Sequence, residues 1–142
     1  MVDDTDLAIL KLLQEDASMP FTEIARQLRV SESTVRKRVE RLMREGVIKK
    51  FTVIVNPSKI GFNAVALIGI DADPSRILEV AKRLCDLPET RYVATSTGDH
   101  MIMVEVWAKN TMDLMRIIDE KIGAIDGVRR VCPALILEKL KE

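Results

Sequence analysis

Cysteine is almost missing from this sequence. Cys85 and Cys132 stand far apart, with no further Cys or His at ligand spacing. That removes zinc sites and disulfide frameworks and leaves two buried thiols as the expectation. Histidine occurs once, as His100. No Ser–His–Asp set, paired-carboxylate constellation or Gly-rich phosphate loop can be assembled, so the chain reads as a non-enzyme without metal or cofactor. The aromatic residues are only Phe21, Phe51, Phe62, Tyr92 and Trp107. An RNA-binding sheet needs stacked aromatics on its central strands, and this set does not supply them. The longest apolar run, Ala64–Ile70, falls far short of the ~20 residues that cross a bilayer. The opening MVDDTDLAILKLL carries acids where a secretory signal needs bases. These absences predict a soluble, cytoplasmic protein with no membrane partner. An apolar content of 47% is enough to build a core.

Net charge is zero, yet it is unevenly spread. Residues 1–25 carry one base, Lys11, against six acids, a net of −5. Residues 26–50 carry nine bases against three acids, a net of +6. Positive charge concentrated in one stretch is the local footprint that phosphate binding requires.

That stretch lies at the end of three short helical patterns. Asp3 or Asp4 can cap a first helix bearing Leu7, Leu10 and Leu13 at helical spacing. After Pro20, Thr22 can cap a second helix with Ile24, Ala25 and Leu28. Beyond the tight connection Arg29-Val30, Ser31 caps a third, whose stripe Val35, Val39 and Leu42 faces inward. Gly46 stands where a left-handed C-terminal cap belongs, and Val47–Val55 reads as extended. Two short helices around a small turn, the second basic, form a helix-turn-helix pattern. A reading helix needs short polar groups at its start for base edges and long cations further along for phosphates. The candidate DNA contacts are therefore Ser31, Ser33, Thr34, Arg36, Lys37, Arg38 and Arg41. With Val35 and Val39 inward, Ser33, Arg36, Lys37 and Glu40 should point away from the core. The competing explanation is a solvated basic helix in a plain three-helix bundle.

Asn56-Pro57 and Gly61 mark a linker. The remaining pattern runs strand Ala64–Ile70, helix Pro74–Leu84, strand Arg91–Thr97, strand Met101–Trp107, helix Thr111–Ile122 and strand Val128–Leu137. Gly98-Asp99 is the hairpin signal between the middle strands. The order βαββαβ is ferredoxin-like, with both helices on one face and the last strand at an edge that tolerates Pro133. The other face should be wet, but Ala64–Ile70 and Met101–Val104 are apolar on both faces. A second copy packed face to face is the simplest cover, and a domain from another chain is the alternative.

The fold class predicted is α+β: a three-helix winged helix-turn-helix at 1–50, a linker strand and turn at 51–62, and a ferredoxin-like dimerisation and effector-sensing domain at 63–142. Both halves resemble the Lrp/AsnC (feast/famine) family of prokaryotic transcription regulators. The first signature is DDTDLAILKLLQEDASMPFTEIARQLRVSESTVRKRVERLMREGVIKKFTVIVNP, and a weaker one is TSTGDHMIMVEV. The resemblance implies a double-stranded DNA partner and a homodimer made by the C-terminal sheets, often built up to tetramers or octamers. It also implies a small-molecule effector, an amino acid or related metabolite, bound between subunits near the loop joining the second and third strands. That loop maps to Thr97, Gly98, Asp99, His100 and Met101. Many members read Gly-x-x-Asp there, and Met101 holds the last position here. From the residues alone, Gly98-Asp99 is simply a good hairpin turn. Some relatives of this architecture are siroheme decarboxylases, an enzyme alternative that the single His disfavours. A metabolite-binding or assembly module without DNA binding is a further alternative.

Overall fold

The computed structural model describes residues 1–142, which divide into two compact units, Met1–Ile54 and Val55–Glu142. The division falls inside the segment 51–62 read above as a linker.

In the first unit, α1 spans Asp4–Glu15, α2 Phe21–Leu28 and α3 Glu32–Arg44. Asp3 caps α1 reciprocally with Asp6: the Asp6 amide donates to Asp3 Oδ1 at 2.9 Å, and the Asp3 amide to Asp6 Oδ2 at 3.0 Å. The inward stripe of α1 differs from the expected leucines. Ile9 and Leu13 are buried beside Asp6, whereas Leu7 is 57% exposed. Asp6 is drawn inward by cations on α3, and that fixes the rotation of α1. Thr22 does not cap α2 but lies within its first turn. Pro20, with φ near −63° and an extended ψ, enters the helix directly, and its carbonyl accepts the amides of Glu23 and Ile24 at 3.0 and 3.1 Å. α2 closes on Arg29 in the left-handed region (φ 57°), which makes the short turn into α3. Ser31 caps α3 by accepting the Thr34 amide at 3.1 Å, and Gly46 (φ 76°) lets the chain leave after it. Ile9, Leu13, Ile24, Ala25, Val35 and Val39 form the core of this unit. Val47–Val55 forms no strand, because no other segment of the chain pairs with it.

In the second unit, β1 spans Ala64–Ala72, α4 Ile77–Cys85, β2 Thr90–Thr95, β3 Ile102–Ala108, α5 Thr111–Ile117 and β4 Val128–Leu135. A 3-10 turn at Pro74–Arg76 precedes α4, and one π-helical turn, Ile118–Ile122, extends α5. All pairings are antiparallel in the order β2-β3-β1-β4. The ferredoxin-like order therefore stands, and β4 is an edge strand with Pro133 opposite Ile68. Ala66, Ile68 and Ile70 of β1 and Ile102, Val104 and Val106 of β3 point to the helix side. They pack with Val80 and Leu84 of α4 and Leu114 and Ile117 of α5 into one buried cluster. On the opposite face, Leu67 is 37% exposed, and Val65, Met103 and Cys132 are only partly covered. The two thiols are not both buried: Cys85 ends α4 in solvent, and Cys132 is half-buried on the open face of β4. The last residue of a short surface helix has no layer above it to bury a thiol.

Candidate nucleic-acid interface and effector loop

The start of α3 is a cluster of hydroxyls. Ser31 Oγ lies 3.0 Å from Ser33 Oγ and 2.8 Å from Thr34 Oγ1 while accepting the Thr34 amide. Ser33 is exposed and Thr34 half-buried, so Ser33 is the freer of the two to meet a base edge. One turn on, Arg36 and Lys37 are exposed, as is Glu40. Arg36 is braced at both ends of its head: it pairs with Glu32 one turn back, and its guanidinium sits 5.7 Å from the Phe21 ring centroid. Lys37 has no ion-pair or hydrogen-bond partner, so its ammonium is free for a phosphate or a base. The expected outward set Ser33, Arg36, Lys37 and Glu40 is thus brought to one edge of α3.

Arg38 and Arg41 are placed differently. Arg38 Nη1 donates to both Asp3 oxygens at 2.8 and 2.7 Å and to Asp6 Oδ1 at 3.2 Å. Arg41 Nη2 pairs with Asp6 Oδ2. Asp6 itself is fully buried. Burial by itself raises a carboxyl pKa, but the Asp3 amide and the two guanidinium groups outweigh it, and Asp6 is held below its ordinary value. The hydrogen bond from Arg38 likewise pulls Asp3 down to about 2. The acid-rich opening and the basic stretch are therefore partly each other's counter-charge. A signal for this exists in the sequence, since Asp6, Ile9 and Leu13 share one helical stripe.

The effector-loop residues are not gathered on one side of the chain. The connection is closed by the Ser96 amide donating to the Met101 carbonyl at 2.8 Å and the Ser96 hydroxyl to the His100 carbonyl at 2.6 Å. β2 ends at Thr95 and β3 begins at Ile102. The turn is therefore longer than a two-residue hairpin, and Thr97 and Met101 lie outside the strands. Thr97, Gly98 (φ 105°) and Asp99 form the exposed tip. His100 turns onto the open sheet face, where its ring covers Gly69 and Nδ1 lies 3.2 Å from Asp71 Oδ1. Met101 goes the other way and, with Pro74, Ser75, Ile77, Leu78, Thr95 and Ser96, lines a cavity of about 430 Å³. The residues before and within α4 were not among those expected at the loop, because nothing local ties them to it. No three His, Cys, Asp or Glu side chains are grouped to hold a metal ion, and no helix is long and apolar enough to cross a membrane.

Comparison with known proteins agrees with both halves. Residues 2–43 match the AsnC-type helix-turn-helix domain, and residues 65–142 the Lrp/AsnC ligand binding domain. The chain is 49% identical to the HTH-type transcriptional regulator LrpA of Pyrococcus horikoshii, over 99% of this chain and 100% of the relative. Escherichia coli AsnC superposes with a TM-score of 0.85 at 25% identity, covering 100% of this chain and 96% of that one. A transcriptional regulator of Neisseria meningitidis, solved as a complex with L-Met, has a TM-score of 0.88 at 18% identity, covering 100% and 94%. With one family model on each unit and full-length relatives named as regulators, the chain belongs to the Lrp/AsnC family of helix-turn-helix transcription regulators.

Proposed function

We propose that this regulator reads double-stranded DNA with the edge of α3 formed by Ser31, Ser33, Thr34, Arg36 and Lys37. Its second unit pairs with another copy and takes an amino acid or related small metabolite. The observation that carries the DNA reading is the juxtaposition, on one capped helix, of the exposed Ser33 hydroxyl with a braced Arg36 and an unpartnered Lys37. Short groups at the helix start reach base edges, each good contact being worth ~1–3 kcal/mol, while the cations set affinity and its salt dependence. Lys49 and Lys50, exposed beyond α3, are further backbone contacts.

The effector reading rests on the cavity beside Met101. Ile77, Leu78 and Met101 offer an apolar lining and Ser75, Thr95 and Ser96 offer hydroxyls, which suits an amino acid with an apolar side chain. The L-Met complex of the Neisseria regulator, a protein of the same fold, supports that class. The adjacent tip Thr97–Asp99 supplies the Gly98 amide for a carboxylate and Asp99 for an ammonium. The open apolar face of the sheet favours a homodimer, with tetramers or octamers above it. A cytoplasmic regulator of this kind responds when the effector binds one assembly state more tightly than another.

The test is selection of bound genomic DNA fragments at moderate salt, repeated across a panel of free amino acids. The expected result is an enriched pseudo-palindrome whose affinity changes with one amino acid. Enrichment indifferent to every amino acid would remove the sensor, and no enrichment would remove the DNA reading.

A further inference from the structure

Nine bases crowd residues 26–50, yet they do not all stand in the same relation to DNA. The side chains of Arg38 and Arg41 are 30% and 29% exposed, against 55% for Arg36. They lie on the flank of α3 between its buried stripe and its outer edge. Asp6 takes one guanidinium on each carboxylate oxygen, and the oxygen that receives Arg41 also accepts the Asp3 amide. Asp3 fills both oxygens with Arg38. Every carboxylate oxygen of Asp3 and Asp6 is thus filled, Arg41 Nη1 also reaches the Met1 carbonyl at 3.4 Å, and the fully buried Asp6 stands at the centre. Turning either arginine away to a phosphate would leave the buried Asp6 with one cation in place of two. Weakening the pairing of a buried charge costs more than one screened phosphate contact gains.

We infer that Arg38 and Arg41 are positioning residues, which through Asp3 and Asp6 fix how α3 is seated on α1, and that neither is a phosphate contact. The inference rests on the DNA-binding reading of α3. The apolar stripe Val35, Val39 and Leu42 resists separation of the helices but carries no directional bond that fixes the roll of α3. Directional bonds on one flank stop that roll. A rolled α3 would carry Ser33 and Lys37 out of register with the groove, while leaving the number of cations near the phosphates unchanged. The clamp thus governs base contact and not ion release.

The two roles differ in what they do to the salt dependence of binding. The experiment measures affinity of the full chain for its own enriched pool of genomic fragments over a range of KCl concentrations, at a temperature where melting curves show each variant folded. Lys37→Gln should flatten the plot of log affinity against log salt by about 0.9, the loss of one phosphate contact. Arg41→Gln should weaken binding about tenfold, the equivalent of one base contact, with the slope unchanged. Arg41→Lys, which keeps the charge beside Asp6, should recover most of that loss. An Arg41→Gln line flattened like that of Lys37→Gln would overturn the inference, and so would a line identical to the unmutated chain. Should Arg41→Gln not fold, side-chain NMR of the unmutated chain decides. The guanidinium signals of Arg38 and Arg41 should stay in place on adding the fragment pool while the Lys37 signal moves, and displacement of the arginine signals would overturn the inference. Salt-independent or absent binding by the unmutated chain would instead remove the DNA reading, and the positioning role with it.

Discussion

Gly69 stands in the middle of the central strand β1, where a residue without a side chain weakens a sheet. Its place is explained by His100, whose ring packs against it: a Cβ built on Gly69 would come 2.2 Å from the imidazole Cδ2. The ring is then held by Asp71, two residues along the same face, through the 3.2 Å contact of Nδ1. Gly69→Ala should therefore push the ring off the sheet and break the Asp71 contact, at a cost of about 1 kcal/mol. The ring can swing towards solvent, which keeps the cost small. Imidazole NMR signals and a melting curve check this, and unchanged ring signals would contradict it. The same scale governs Asp6. Asp6→Ala leaves Arg41 without its carboxylate and Arg38 with Asp3 alone, and should lower stability by about 2 kcal/mol in denaturant titration. A loss no larger than that of a surface alanine would contradict the buried pair.

At the scale of elements, the clamp between α1 and α3 makes the first unit sensitive to acid. Asp3 and Asp6 both titrate lower when folded than in an open chain, Asp3 at about 2 against an ordinary 3.8. Each stabilises the fold above the ordinary carboxyl value and loses that contribution as pH falls through the folded value. Helical signal from this unit should fade as pH drops from about 4 towards 2, and in Asp3→Asn the fading over that window should be weaker. Circular dichroism of both chains measures it, and superimposable acid profiles would rule the clamp out as its cause. The elements themselves were legible in the sequence. Apolar spacing marked α3 and α5, Ser31 and Gly46 marked the ends of α3, and the βαββαβ order follows from the alternation of periods. What spacing did not give was rotation. Leu7, Leu10 and Leu13 and the stripe Asp6, Ile9 and Leu13 are both helical faces of α1, and a carboxylate is the residue least expected to point inward. The choice between them lies with Arg38 and Arg41, more than thirty residues along the chain.

For the whole molecule, the open face of the second unit is the feature that the single chain leaves unfinished. Val65, Leu67 and Met103 stand on a face with no helix above it. Leu67→Lys, placed at its centre, should lower the mass of the homodimer proposed above towards that of one chain in light scattering, because two copies facing each other would each bury the new ammonium. An unchanged mass would put the contact between copies elsewhere.

The number, order and kind of elements, the two-sided apolar character of the central strands and the concentration of positive charge around α3 are all written in the order of residues. These depend on periodicity and on caps that act within a few residues. Which of those cations are free is settled by contacts that form on folding. Such contacts also decide which side of α1 is inside, and that the loop Thr97–Met101 divides, with His100 on the sheet face and Met101 at the cavity beside α4. Each of these is set by a partner distant in the chain, through hydrogen bonds and close packing that exist only once the elements have met.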